Sequence, residues 1–185
     1  LLEIYKRSST AIQQAALKNP FEYATVASRI VKNKLADQLV EGIQYEKINE
    51  YYEMTQFMDI PGWEDNLVSS PHSIYDHVIF ESDIEKEFVE GLERRDDVKL
   101  YVKLPGWFTV PTPIGEYNPD WAIVLEKKND DGGVENVLYL VRETKSTKNL
   151  DELRPDEKRK ILSGKKHFKD ALGVNYDVIV SAKEL

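Results

Sequence analysis

The order of elements legible in the sequence is helix, strand, strand, strand, helix, strand. It predicts a mixed α+β (α/β) domain of αβββαβ type, with a central mixed sheet flanked by helices, behind a helical lead-in. Three observations carry this. Val98, Leu100, Val102 and Leu104 alternate with Lys99, Tyr101 and Lys103, the period of a half-buried strand. Two apolar runs at 120–126 and 137–143 flank Asn129-Asp130-Asp131-Gly132-Gly133, a hairpin signal. Ser82-Asp83-Ile84-Glu85 and Pro155-Asp156-Glu157 each open a segment with helical spacing.

The lead-in begins with a helix. After Asn19-Pro20, the residues Phe21, Ala24, Ala27, Val31, Leu35 and Leu39 recur at three- and four-residue spacing, and Gly42 is the stop. Residues 43–54 fit helix or strand. Pro61-Gly62, Asp65-Asn66 and Ser69-Ser70-Pro71 are turn signals, so 59–77 reads as a connector with a boundary near residue 80. The division expected is 1–80 as helical lead-in and connector, and 81–185 as the sheet domain. In the latter, Ile84, Phe88, Val89 and Leu92 form the apolar face of the first helix. Pro111, Pro113 and Gly115 make an irregular approach to the hairpin. Ile161, Leu162, Phe168 and Leu172 line the second helix, Gly173 ends it, and 176–180 is the last strand.

Composition sets limits. With 41% hydrophobic and 31% charged residues the chain is that of an ordinary globular protein. It has no cysteine, which removes disulfides, thiolate zinc sites and thiol nucleophiles. None of its three histidines has another at metal-ligating helical spacing. No apolar run approaches the roughly 20 residues of a membrane span, and no signal peptide precedes the charged start, so a cytoplasmic protein is expected. The chain does not begin with Met and reads as a piece of something longer. No nucleotide-binding glycine motif of either common kind occurs, so neither ATP nor a dinucleotide is expected to bind here. The net charge of −8 is unlike that of a nucleic-acid coat protein. Its distribution is uneven: from Arg142 to Lys169 ten Lys and Arg face five acids, which suggests one basic face.

A hairpin turning at Asp131-Gly132 places Leu125 opposite Leu138, Ala122 opposite Val141 and Asp120 opposite Glu143. Opposed residues share a side of the sheet, and Lys145 shares it with Glu143. Two carboxylates and a lysine in one patch suit phosphodiester hydrolysis. Hard cations such as Mg²⁺ take oxygen ligands, here Asp120, Glu143 and the Thr144 backbone carbonyl. Lys145 would orient water and offset charge at phosphorus. Glu85, on the buried edge of its helix, is a further candidate ligand. A Glu and a Lys two apart with an Asp opposite more often form only a solvated charge cluster. The Pro119-Asp120 step, the fitting hairpin and the basic helix that follows set this one apart. On that helix Lys158, Lys165 and Arg154, with Lys148 before it, are candidate phosphate contacts, with a solvated basic face as the alternative. Gly164 inside the helix costs about 1 kcal/mol relative to Ala and points to a close approach, to DNA or to the sheet. Trp107 and Tyr117 read as core by default, with stacking on DNA as the alternative, and Trp121 reads as core. His167 reads as a surface or capping side chain. Tyr45, Tyr51 and Tyr52 would mark a docking surface.

Pro119-Asp120 followed by Glu143-Thr144-Lys145 resembles the PD-(D/E)xK nuclease motif, and the element order resembles the restriction-endonuclease-like core. Residues 100–123, 142–147 and 153–168 are similar to the C-terminal endonuclease region of type III restriction enzymes, in the restriction subunit. The resemblance covers roughly 80–180. It implies DNA cleavage needing Mg²⁺ (Mn²⁺ substituting), an upstream translocase motor in the same polypeptide and a modification methyltransferase subunit as partner. It places the catalytic triplet on Asp120, Glu143 and Lys145, and the helix glutamate on Glu85, with Glu87 less favoured because it faces away from Phe88. A repair or RNA-processing nuclease on the same core, and a catalytically silent docking module, are the alternatives.

Overall fold

The computed structural model describes residues 1–46, 67–128 and 133–185, which divide into two compact units, Leu1–Ile43 and Gln44–Leu185. The first is all helix: α1 (Leu2–Arg7), α2 (Thr10–Lys18) and α3 (Pro20–Gly42). Ser9 caps α2 and Asn19 caps α3, where Pro20 takes the first turn as expected. The apolar stripe of α3 is only partly covered. Ala27 is buried, but Phe21, Val31, Leu35 and Leu39 are exposed.

The second unit is built on a four-stranded mixed sheet in the order β3-β6-β7-β8. Its strands are β3 (Val98–Lys103), β6 (Trp121–Lys128), β7 (Val134–Thr144) and β8 (Asn175–Ile179). The first three pair antiparallel, and β8 joins β7 in parallel after the crossover through α5 (Pro155–Lys165). The αβββαβ order and the mixed sheet are therefore as expected. The β6–β7 register also matches: Leu125 faces Leu138 and Ala122 faces Val141. The expected Asp131-Gly132 turn lies outside the described residues. A slip occurs next to it, between Lys127 and Lys128.

Three readings change. Residues 67–79 are not a connector: β1 (Leu67–Ser69) and β2 (His77–Ile79) form a hairpin whose Val78 belongs to the core. The Pro-rich approach is also a hairpin, β4 (Val110–Thr112) with β5 (Gly115–Tyr117). Gly115 adopts φ +113°, a backbone conformation that glycine takes at little cost and other residues rarely adopt. Finally, β3 carries an irregularity between Val98 and Leu100. An extra residue in one strand reverses which side chains face inward, so Tyr101, not Leu100 or Val102, is buried.

Two apolar layers enclose the sheet. Helix α4 (Asp83–Glu93) packs Phe88, Val89 and Leu92 against Tyr101, Trp121, Ile123, Leu125 and Leu140. On the other face α5 and the π-helical turn Lys166–Ala171 pack Ile161 and Phe168 against Tyr117, Val141, Tyr176 and Val178. Gly173, at φ +69°, ends this segment as its sequence position suggests. Tyr45, read as part of a docking surface, is half-buried and has partners within its own unit. Its ring lies against His167 at 4.9 Å and its hydroxyl donates to the Pro111 carbonyl. Tyr51 and Tyr52 lie outside the described residues. Among the described residues no helix is long and apolar enough to cross a membrane.

Gly164 explains itself at this layer. A Cβ there would collide with the Tyr117 ring and stand 3.2 Å from the Tyr176 hydroxyl. Helix propensity favours Ala by about 1 kcal/mol, whereas overpacking a buried ring costs about 1–3 kcal/mol. Overpacking should win, because Tyr117 is buried and held at its tip. Gly164→Ala is expected to destabilise the domain by about 1–2 kcal/mol, read as a lower urea midpoint at unchanged slope.

Candidate active site

The Trp121 indole N–H donates to the Thr144 hydroxyl at 3.3 Å, which ties β6 to the end of β7 at the site. Side chains alternate along β7, so Leu140 sits in the α4 layer, Val141 in the α5 layer, and Glu143 on the same face as Val141. Trp121 opens β6 opposite Arg142. Asp120 is the residue before that strand rather than its first member, and its carboxylate turns toward the backbone of β7. Its Oδ2 accepts from the Thr144 N–H and from the Thr144 hydroxyl, both at 2.7 Å. The backbone carbonyl of Asp120 accepts from Leu104 N–H at 2.8 Å, so β3 braces the same corner.

Glu143 is 5% exposed and is held at both oxygens. The Tyr117 hydroxyl donates to Oε2 at 2.6 Å, and the Lys145 ammonium lies 2.9 Å from Oε1. Burial, then the nearby charge of Asp120, pushes the Glu143 carboxyl up to about 7, against the pull of Lys145 and the Tyr117 hydrogen bond. Burial likewise raises Asp120. The two Thr144 hydrogen bonds and Lys145 oppose the rise, and the charge of Glu85 adds to it. Burial disfavours the charged form of Lys145, yet Glu143, Asp120 and Glu157 outweigh it and raise its pKa. The three side chains singled out from sequence are thus electrostatically one system. Lys145 also reaches Glu157 of the α5 first turn at 3.9 Å, which links the site to that helix.

Glu85 stands elsewhere. Ser82 caps α4 as expected, but the Glu85 carboxylate does not close a capping box on Ser82. It accepts from Glu81 N–H at 2.7 Å and from Lys103 at 2.8 Å. Among the described residues no three acidic or histidine side chains gather closely enough to hold a metal ion. The expected union of Glu85 with Asp120 and Glu143 is therefore not found. The reason is topological: α4 covers the face of Trp121, and Glu143 belongs to the face of Tyr117. Glu87 is exposed. Lys103 was read as a solvent-side residue; it points toward α4 because the β3 irregularity turns Tyr101 and Lys103 inward.

The basic face is less free than its composition suggests. Arg142 and Arg159 are buried. Lys148 is paired with Glu184 at 2.6 Å, Lys158 with Asp151 at 2.5 Å, and Arg154 with Glu157 at 2.9 Å. Lys165 is exposed and, among the described residues, makes no ion pair. Counting charges along the chain cannot reveal such pairing. Trp107 is 46% exposed on a loop, which sets aside core packing, the default of its two readings. Asn118 anchors that loop by donating to the Pro105 and Phe108 carbonyls. Burial lowers the pKa of His167, which packs edge-on against Tyr45 and Phe168 rather than serving as a cap.

Two carboxylates whose pKa burial raises, with a half-buried lysine as their compensating charge, fit a hard divalent cation. Oxygen donors are what such ions take, and Mg²⁺ keeps several of its waters, so two carboxylates need not be joined by a third. Neither the curated proteins nor the solved structures contain a match to the chain. Residues 71–183 match the family model described as an endonuclease domain, a span that holds the whole four-stranded sheet, both flanking helices and Asp120, Glu143 and Lys145. The chain belongs to this endonuclease-domain family, and its fold is restriction-endonuclease-like.

Proposed function

We propose that the sheet domain is a Mg²⁺-dependent DNA endonuclease, the nuclease part of a type III restriction-modification enzyme. On this reading Mn²⁺ substitutes for Mg²⁺. A translocase motor in the same polypeptide consumes the ATP, a methyltransferase subunit is the partner, and the enzyme works in a prokaryotic cytoplasm on double-stranded DNA. The carrying observation is the buried Glu143, held between Tyr117 and Lys145 and raised to about 7 by burial and Asp120. Such a carboxylate is costly to ionise unless a cation arrives.

Asp120 and Glu143 would hold the ion, with the Thr144 carbonyl as a third oxygen. When bound, the ion would polarise the phosphoryl oxygen and acidify a water. The chain's own groups do the rest. Thr144 fixes the Asp120 carboxylate through two hydrogen bonds, so one of its oxygens is fully committed and the other left to bind. Lys145 keeps its proton, because three carboxylates raise its pKa. It therefore acts as a donor to charge developing on phosphate and not as a general base. Glu85 acts from a distance through its charge. Lys148, Lys158 and Lys165 are assigned to phosphate contact, with Lys165 foremost since among the described residues it has no acid to release.

The test is calorimetric titration of the full chain with Mn²⁺, beside cleavage assays on duplex DNA, single-stranded DNA and RNA. The expected result is Mn²⁺ binding in the wild type that Asp120→Ala removes, with cleavage confined to duplex DNA. The same heat from both proteins would remove the metal site. Preferential cleavage of RNA would move the protein to the RNA-processing class.

A further inference from the structure

Tyr117 was read from sequence as a core aromatic, and its burial agrees. Its hydroxyl is the unexpected part. Tyr117 has a single hydroxyl proton, and that proton goes to Glu143 Oε2 at 2.6 Å. The Tyr117 and Tyr176 hydroxyls are 2.7 Å apart, so the proton in this second bond must come from Tyr176. The result is a directed chain, Tyr176 to Tyr117 to Glu143. It leaves only Oε1 of Glu143 turned toward Lys145.

Two elements far apart in sequence build this chain. Tyr117 ends β5 and Tyr176 lies on β8. Gly164 of α5 makes room for the Tyr117 ring beneath the helix, since a Cβ there would collide with it. The Tyr117 and Tyr176 rings meet edge to face at 6.5 Å, and Tyr176 is stacked on Phe168 at 5.7 Å with planes 10° apart. Neither ring can swing away without unpacking α5. A hydroxyl so placed is a fixed donor, and a fixed donor sets the rotation of the carboxylate that accepts from it.

We propose that Tyr117 is a positioning residue: with Tyr176 behind it and Gly164 making room, it locks the Glu143 carboxylate so that Oε1 alone is offered to the cation. The inference rests on the function proposed above and extends it to the groups behind the ligands. Such outer hydrogen bonds commonly govern metal affinity by about 10–100-fold.

The experiment compares wild type, Tyr117→Phe and Tyr176→Phe, each as the full chain, by Mn²⁺ calorimetry and by thermal unfolding without metal. Both variants lose one buried hydroxyl from the same layer, so a merely structural role would lower both melting temperatures and leave Mn²⁺ affinity alone. The expected result is a Mn²⁺ dissociation constant raised about tenfold in Tyr117→Phe and about threefold in Tyr176→Phe. Wild-type affinity in Tyr117→Phe overturns the proposal while the metal site stands. Absence of Mn²⁺ binding in the wild type overturns the metal site, and the positioning role with it. Should Tyr117→Phe fail to fold, Tyr176→Phe decides alone, and an unchanged constant there is the overturning result.

Discussion

Lys145→Met should reduce duplex cleavage by at least about 10²–10³-fold at saturating metal, the cost typical of removing one donor aimed at developing charge. The substitution keeps the length and apolar stem of the lysine and deletes only its charge. Removing one partner of a buried ion pair ordinarily destabilises by about 3–5 kcal/mol, because the other charge is stranded. Here the stranded partner is Glu143, whose carboxyl already titrates at about 7. At neutral pH it can take up a proton at little cost. The loss of stability should therefore be small, on the order of 1 kcal/mol, and the loss of activity large. Single-turnover cleavage and a thermal melt on the same preparation separate the two. Cleavage within tenfold of wild type would mean that Lys145 only compensates Glu143 at rest and has no part in the reaction.

That argument depends on where Lys145 and Glu143 sit, and this much was legible in sequence. The β6–β7 pairing follows from apolar alternation on both strands, and alternation fixes which residues share a face. What alternation cannot show is a break in its own period. The irregularity between Val98 and Leu100 has no residue signature in Val98-Lys99-Leu100, so Tyr101 and Lys103 were assigned to the wrong side. Helix α4 carries Glu85 under the opposite face from Glu143, a separation set by layer order and invisible to helix periodicity. The β1–β2 hairpin was missed because three-residue strands between turn residues look like a linker. Tyr117 was underestimated for a related reason. Its partners are Glu143, Gly164 and Tyr176 on three other elements, and none is marked by local spacing. The one usable signal was Gly164 itself, a glycine inside a helix that had to be there for something.

In metal-free buffer, wild-type stability should fall as pH rises from about 4.5 to above 7, and Glu143→Gln should remove the larger part of that fall. The unfolded Glu143 carboxyl titrates near its ordinary value of 4.5, the folded one at about 7. Between these values the folded chain binds more protons than the unfolded chain, so the free energy of unfolding decreases with pH. A gap of this size corresponds to about 2–4 kcal/mol once the window is crossed. Asp120, also raised, contributes in the same sense. His167 acts in the opposite one. Burial lowers its folded pKa, so the unfolded chain binds the extra proton and stability rises with pH near 6.5. His167 is unchanged in Glu143→Gln, and the difference between the two urea-unfolding profiles across pH cancels it. Asp97 and Glu157 are lowered carboxylates whose contributions disappear below the window. The difference profile therefore belongs to Glu143 and to the Asp120 charge that meets it. Millimolar Mg²⁺ should flatten the wild-type profile by stabilising the ionised carboxylate, and parallel profiles for the two proteins would mean that Glu143 ionises as freely as a solvated side chain.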